Sequence, residues 1–245
     1  MDILSPSEFF FAMMGGLLPA LLWLWFWLKE DCHPEPRKMI IQVFIAGMFS
    51  TTVALGIEHL FFKAEELMGI EKTTVGVFVL LFAWAAIEEI VKYFMAKKVA
   101  FSSLEFDEPV DALIYMITIA LGFTAMENIF FLAKALKINF MMGFMTGHLR
   151  FLGSSLLHVA SSGIVGTGIA YSFYKKKNLK RNLTIGLILS TILHFAFNYF
   201  IMKIGIGSSA NEEMFRIFIS LWTVIILLIF IFEKVKKLRS SNITN

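Results

Sequence analysis

Apolar residues run along this chain in long blocks broken by short polar stretches, and no two-residue alternation is visible. Seven blocks stand out, at roughly 9–28, 39–60, 74–95, 109–133, 150–174, 182–202 and 214–232. Each is about 20 residues or a little more, the length an α-helix needs to cross a hydrocarbon core. Lipid offers no partner to an unsatisfied backbone group, so the blocks are read as helices. The strands of a membrane barrel would alternate in hydropathy instead. The expected fold class is therefore all-α: a polytopic membrane helix bundle of about seven transmembrane helices, forming a single transmembrane domain over residues 1–245.

Composition supports that reading and narrows it. Apolar residues make up 58% and charged residues only 17% of the 245, with 27 Phe and 14 Met, and mean hydropathy is +0.73. A soluble domain carries about a quarter charged residues, so disorder, a collagen-like fibre and an ordinary cytosolic globule are excluded. The single cysteine, Cys32, excludes an intramolecular disulfide and a Cys-rich zinc module. Met1 to Glu8 hold Asp2 and Glu8 but no Lys or Arg, so the first block is read as a retained helix rather than a cleavable signal.

Charge placement gives an orientation. The connections after spans one, three and five, with the C-terminal tail, hold 14 of the 22 Lys and Arg residues; the opposite set holds 5. The cluster Lys175, Lys176, Lys177, Lys180 and Arg181 is the strongest single signal. The positive-inside rule then sets the N-terminus outside and the C-terminus in the cytoplasm. The basic runs are topology signals and not a nucleic-acid surface. The longest connection, 134–149, is itself apolar (Phe140, Met141, Met142, Phe144, Met145) and reads as lying on or re-entering the outer surface.

Polar residues inside the blocks need a reason, because a charge at mid-bilayer costs about 2.5–3.5 kcal/mol on insertion scales. Span three holds Glu88, Glu89 and Lys92; span four holds Asp111, Glu127 and Asn128; span five holds His158; span six holds His194 and Asn198. These residues define a catalytic core of about 74–202, with spans one, two and seven peripheral. At about 1.5 Å rise per residue, Glu127, His158 and His194 come to one depth in the outer half of the bilayer, with Glu88 somewhat deeper. Glu88 and Lys92 share a helical face, as do His158 and Ser162, and His194 and Asn198.

Residue by residue, blander readings exist. Glu88 or Glu89 with Lys92 forms an ion pair, a lone intramembrane His bonds a neighbouring helix, and Glu127 with Asn128 ties helices together. Asp111, after Pro109, favours the positive end of its helix. Glu58 and His59 sit at the outer edge of span two, where interface residence explains them. What the bland account does not explain is two Glu and two His at similar depth in four consecutive helices.

The set allows hydrolysis. A carboxylate and two imidazoles from three helices match a zinc site with three protein ligands and an open position, which lowers the pKa of bound water towards about 7. A second carboxylate nearby then takes the proton as general base, and Asn198, one turn from His194, donates a hydrogen bond to the developing oxyanion. A metal-free version uses the same residues, with Glu88 activating water and a His with Asn198 forming the oxyanion hole. A proton or ion transporter is the competing class, and a non-catalytic membrane scaffold a third.

The segment Ala86-Ile87-Glu88-Glu89-Ile90-Val91-Lys92 resembles the Glu-Glu-x-x-Lys motif of the PrsW family of intramembrane proteases. Asp107 to Tyr115 is similar to the segment that follows in that family. Gly122 to Asn128 is similar to its Phe-x-x-x-Glu-Asn motif. His158 with Gly163, and His194 with Asn198, stand where the family carries its two histidine motifs. The resemblance covers roughly residues 80–200. It implies cleavage of a membrane-anchored protein, with an anti-sigma factor cut on its outer side as the model substrate, by an enzyme of a bacterial-type cell membrane. The family is also similar to the CAAX prenyl endopeptidases, which carry Glu-Glu-x-x-x-Arg and a His where this chain has Glu127. That departure allows the three-ligand metal set Glu127, His158 and His194, with Glu88 as general base and Glu89 with Lys92 orienting the helix and the base.

Overall fold

The computed structural model describes residues 4–31, 33–69, 73–204 and 210–238. Asp2, Cys32, Lys72 and Arg239, which entered the sequence reading, lie outside the described residues. The chain folds as α1 (Pro6–Leu28), α2 (Arg37–Met68), α3 (Thr74–Val99), α4 (Asp111–Leu136), α5 (Phe140–Leu149), a π-helical turn (Arg150–Ser154), α6 (Ser155–Ala170), a 3-10 turn (Lys176–Asn178), α7 (Leu179–Lys203) and α8 (Ala210–Val235). No strand occurs among the described residues. Seven helical stretches are long and apolar enough to span a membrane, with α5, the π turn and α6 counting as one.

Local sequence sets the ends. Ser5 and Glu8 form a capping box with Pro6 in the first turn of α1. The Thr73 hydroxyl accepts from the Gly76 N–H at 2.9 Å and starts α3. Gly69, at φ 68°, closes α2 in the left-handed conformation that favours glycine.

Two boundaries differ from the expectation. α2 continues to Met68 instead of stopping near 60. The connection expected to lie on or re-enter the outer surface is a loop only as far as Asn139. Asn139 Oδ1 accepts from the Met142 N–H at 2.8 Å and caps a helix that begins at Phe140 and passes through the π turn into α6. The apolar run 140–145 is thus the first part of the fifth long helix.

α4 is the axis of the bundle. Ala112 to Ala125 is buried on every side, as expected of a helix that is apolar all round. α1, α2 and α6 each pack along α4, α3 lies between α2 and α7, and α7 and α8 lie against α6. α2 and α4 meet backbone to backbone at Gly47 and Gly122, where a Cβ on Gly122 would overlap the Phe44 carbonyl oxygen. The outer helices expose Phe10, Leu22, Trp25, Ile45, Phe49, Leu60 and Phe230, a surface suited to lipid and not to water.

Candidate functional site

Four helices deliver one buried polar cluster. α3 supplies Glu88, Glu89 and Lys92, α4 supplies Glu127 and Asn128, the π turn with α6 supplies Arg150, Ser154, His158, Ser161 and Ser162, and α7 supplies His194. Glu88, Glu89, Lys92, Asn128, His158 and His194 are all buried.

Lys92 is the hub. Its Nζ donates to Glu89 Oε1 at 2.9 Å, to His158 Nδ1 at 2.7 Å and, more loosely, to Glu88 Oε2 at 3.5 Å, and it stands 4.2 Å from the centre of the Phe123 ring. Glu89 is fully engaged. It accepts from Lys92, from Ser161 Oγ and Ser162 Oγ at 3.0 Å each, and from His194 Nδ1 at 3.0 Å. A buried charge is tolerated only when paired and hydrogen-bonded to this extent.

Glu88 is different. Its one hydrogen bond is the long one to Lys92, so it keeps free acceptor capacity. Its Oε2 lies 3.8 Å from both His158 Nδ1 and His194 Nε2. The two imidazoles stand 4.9 Å apart between centroids and nearly perpendicular, at 87°.

The hydrogen-bond network assigns the tautomers. An ammonium only donates, so His158 Nδ1 accepts from Lys92, and its Nε2–H donates to Glu127 Oε2 at 3.0 Å. His194 Nδ1–H donates to Glu89, which leaves its Nε2 lone pair turned toward Glu88. Glu88, His158 and His194 therefore offer three acceptor atoms within 4.8 Å of one another. Two imidazoles and a carboxylate are a zinc-type donor set, and each imidazole is held from its far nitrogen by a carboxylate, as metal-binding histidines commonly are. The residues fit a metal, provided Lys92 yields the His158 Nδ1 lone pair and stays with Glu89.

Each residue expected at the site can be located against this geometry. Glu88, Glu89, Lys92, Glu127, Asn128, His158 and His194 come together. The Glu88 side chain reaches both imidazoles. Glu127, expected beside His158 and His194 as a third ligand, instead faces the far nitrogen of His158. There it pairs with the Arg150 guanidinium, which also donates from Nε to Asn128 Oδ1 and from an η nitrogen to Ser154 Oγ. Asn198, one turn beyond His194, is half-buried and its side chain makes no hydrogen bond among the described residues.

Sequence reasoning missed Arg150, Ser154 and Ser161. The charge count leaves Arg150 in neither set of connections; the available signal is an Arg eight positions before His158 in an apolar run. The π turn carries it inward, and π turns inside helices recur at functional sites. Glu58, expected at the outer edge of its span, lies ten residues before the end of α2 at Met68. Asp111 accepts from the N–H groups of Asp107 at 2.9 Å and Glu108 at 2.6 Å, and so fixes the turn that leads into α4.

Comparison with known proteins agrees with the family resemblance. Residues 35–231 match the family model described as PrsW family intramembrane metalloprotease. The Protease PrsW of Oceanobacillus iheyensis is 27% identical over 191 residues, covering 78% of this chain and 82% of the relative. That of Bacillus subtilis is 25% identical over 242 residues, 95% and 98% of the two chains. That of Clostridioides difficile is 26% identical over 191 residues, 76% and 77%. No solved structure matches the chain. With the family model spanning most of its length and its motif residues gathered in one buried cluster, the chain belongs to the PrsW family of intramembrane metalloproteases.

Proposed function

We propose that peptide hydrolysis takes place between Glu88, His158 and His194, with Glu89, Lys92, Glu127 and Arg150 holding those three in position. The observation that carries this reading is the convergence of three acceptor atoms within 4.8 Å, each imidazole oriented by a carboxylate on its other nitrogen. A metal held by Glu88 Oε2, His158 Nδ1 and His194 Nε2 would polarise the scissile carbonyl and acidify water. We assign zinc on the two-imidazole, one-carboxylate chemistry. Glu88 keeps one carboxylate oxygen outside that set, which takes the proton of the attacking water and returns it to the leaving amine. Glu127 acts in this scheme through His158 and not as a third ligand. Asn198, with no partner of its own, is free to hydrogen-bond the developing oxyanion.

A metal-free glutamate mechanism on the same residues is the second reading. One observation favours it: the Lys92 ammonium, 2.7 Å from His158 Nδ1, already fills the position of a cation. In that scheme His194 would have to be protonated on Nε2 to donate to the oxyanion, while Glu89 continues to hold Nδ1.

The substrate class is a membrane-anchored protein of the anti-sigma-factor kind, cut on its outer side, in a bacterial cell membrane. The charge asymmetry of the connections supports this orientation. The catalytic core comprises α3 to α7, with α1, α2 and α8 as its surround. Elemental analysis of purified, cleavage-competent protein tests the metal. The expected result is about one zinc per chain, lost together with cleavage in His158→Ala. Active protein without metal would leave the glutamate mechanism standing.

A further inference from the structure

A second polar feature lies at the opposite end of α3 from its N-cap. A cavity of about 490 Å³ opens between the last turns of α3, the turn before α4, the end of α6 and the 3-10 turn. Phe101, Phe106 and Phe173 form its apolar wall, and Lys97 and Lys176 stand at its edge. Neither lysine takes part in an ion pair among the described residues. Tyr93 lines the same cavity at 9% exposure, and its hydroxyl has no hydrogen-bond partner among the described residues. Two free ammonium groups and an unpartnered phenol around an aromatic wall need an anionic group with an apolar body. The cavity sits at helix ends, beside the Lys175 to Arg181 run that charge counting assigns to the cytoplasmic face.

We propose that this cavity is a binding site for a phosphate group, that of an anionic phospholipid headgroup whose glycerol and first methylenes rest on Phe101, Phe106 and Phe173. Basic pockets between transmembrane helices on the cytoplasmic side bind anionic headgroups, and each basic residue near an anionic surface adds about 1 kcal/mol. Tyr93 supplies the neutral hydrogen bond that a general surface charge would lack. The site is separate from the hydrolytic cluster and does not depend on the protease mechanism.

The test compares retention of phosphatidylglycerol and of phosphatidylcholine by the purified full-length chain, by native mass spectrometry. Inorganic phosphate is added as a separate probe. The wild-type chain should retain phosphatidylglycerol over phosphatidylcholine. Lys97→Gln with Lys176→Gln should reduce retention about thirtyfold, since two favourable charges are removed. Lys180→Gln with Arg181→Gln, outside the cavity on the same face, should leave it nearly unchanged. Tyr93→Phe, which keeps the ring packing, should lower retention by a smaller factor. Phosphatidylglycerol lost only from the cavity variants assigns the lipid. Inorganic phosphate bound by the wild type and lost only from those variants supports the phosphate site with a soluble source. Equal loss in both double variants, or no headgroup preference at all, overturns the proposal.

Discussion

His194 Nδ1 and Glu89 Oε1 lie 3.0 Å apart although 105 positions separate them in the chain. This contact fixes the ring of His194 so that its other nitrogen faces Glu88 at 3.8 Å. Glu127 does the same for His158 from the far side. The cluster is thus layered: Glu88 and two imidazoles inside, two carboxylates outside, and Lys92 and Arg150 neutralising the outer pair.

That layering separates ligand from positioning residue. Glu127→Gln should lower metal affinity and kcat by about 10–100-fold, the usual loss for a group that orients a ligand, while metal still binds. Arg150→Met should act in the same direction by freeing Glu127. Metal titration alongside kinetics checks this. Complete loss of metal in Glu127→Gln, with His158 unperturbed, would make Glu127 the third ligand after all.

The Glu89–Lys92 pair has no solvent to fall back on. Lys92→Met strands Glu89 in the bundle and should cost about 3–5 kcal/mol of stability. The double variant Glu89→Met with Lys92→Met should recover part of that loss, because no charge is left unpaired. Thermal unfolding in detergent measures both. A double variant less stable than Lys92→Met by the full single-mutant cost would mean the pair is not the origin of the effect.

Much of this was legible beforehand, and the part that was not has physical causes. Helix number followed from block length, because lipid permits little else. The four helices of the site followed from where polar residues interrupt apolar runs. The arrangement around His158 did not follow, because depth along a helix says nothing about which ring nitrogen faces which carboxylate; Glu88 and Glu127 lie on opposite sides of His158 for that reason. Arg150 was hidden because a π turn, which re-aims a side chain, leaves no mark in hydropathy. The crossing of α2 and α4 at Gly47 and Gly122 was hidden too, since a glycine reports close approach only once its neighbour is known.

That crossing gives a second stability prediction. Gly122→Ala would drive a methyl group into the Phe44 carbonyl oxygen, with backbone on both sides and no side chain able to yield. It should destabilise the bundle by about 1–3 kcal/mol. Gly56→Ala, with open space around it, is the control and should be neutral. Equal unfolding temperatures for the two variants would contradict the close crossing.

Outside the membrane-spanning segments, burial pushes the carboxyls of Asp31 and Glu35 above the ordinary carboxylate range. Both groups hold a proton more tightly folded than unfolded. Their contribution to stability is therefore fully present below the unfolded value of about 4 and is lost as pH rises through the raised one. Asp31 Oδ1 accepts from the His33 N–H at 3.0 Å, which an Asn carbonyl can also do, while Oδ2 has no partner among the described residues. Asp31→Asn should therefore flatten the decline of unfolding temperature above pH 4 and raise it at pH 7. An unchanged slope would show that Asp31 does not hold its proton in the folded state.

The central claim is that Glu88 moves the proton at this site, and one comparison addresses it directly. Wild type and Glu88→Gln are reconstituted in vesicles with a membrane-anchored substrate, and cleavage rate and unfolding temperature are measured on the same preparations. The account predicts a fall in rate of at least about a hundredfold with the unfolding temperature unchanged, because the amide keeps the shape but cannot accept the proton. Cleavage by Glu88→Gln at the wild-type rate would contradict it.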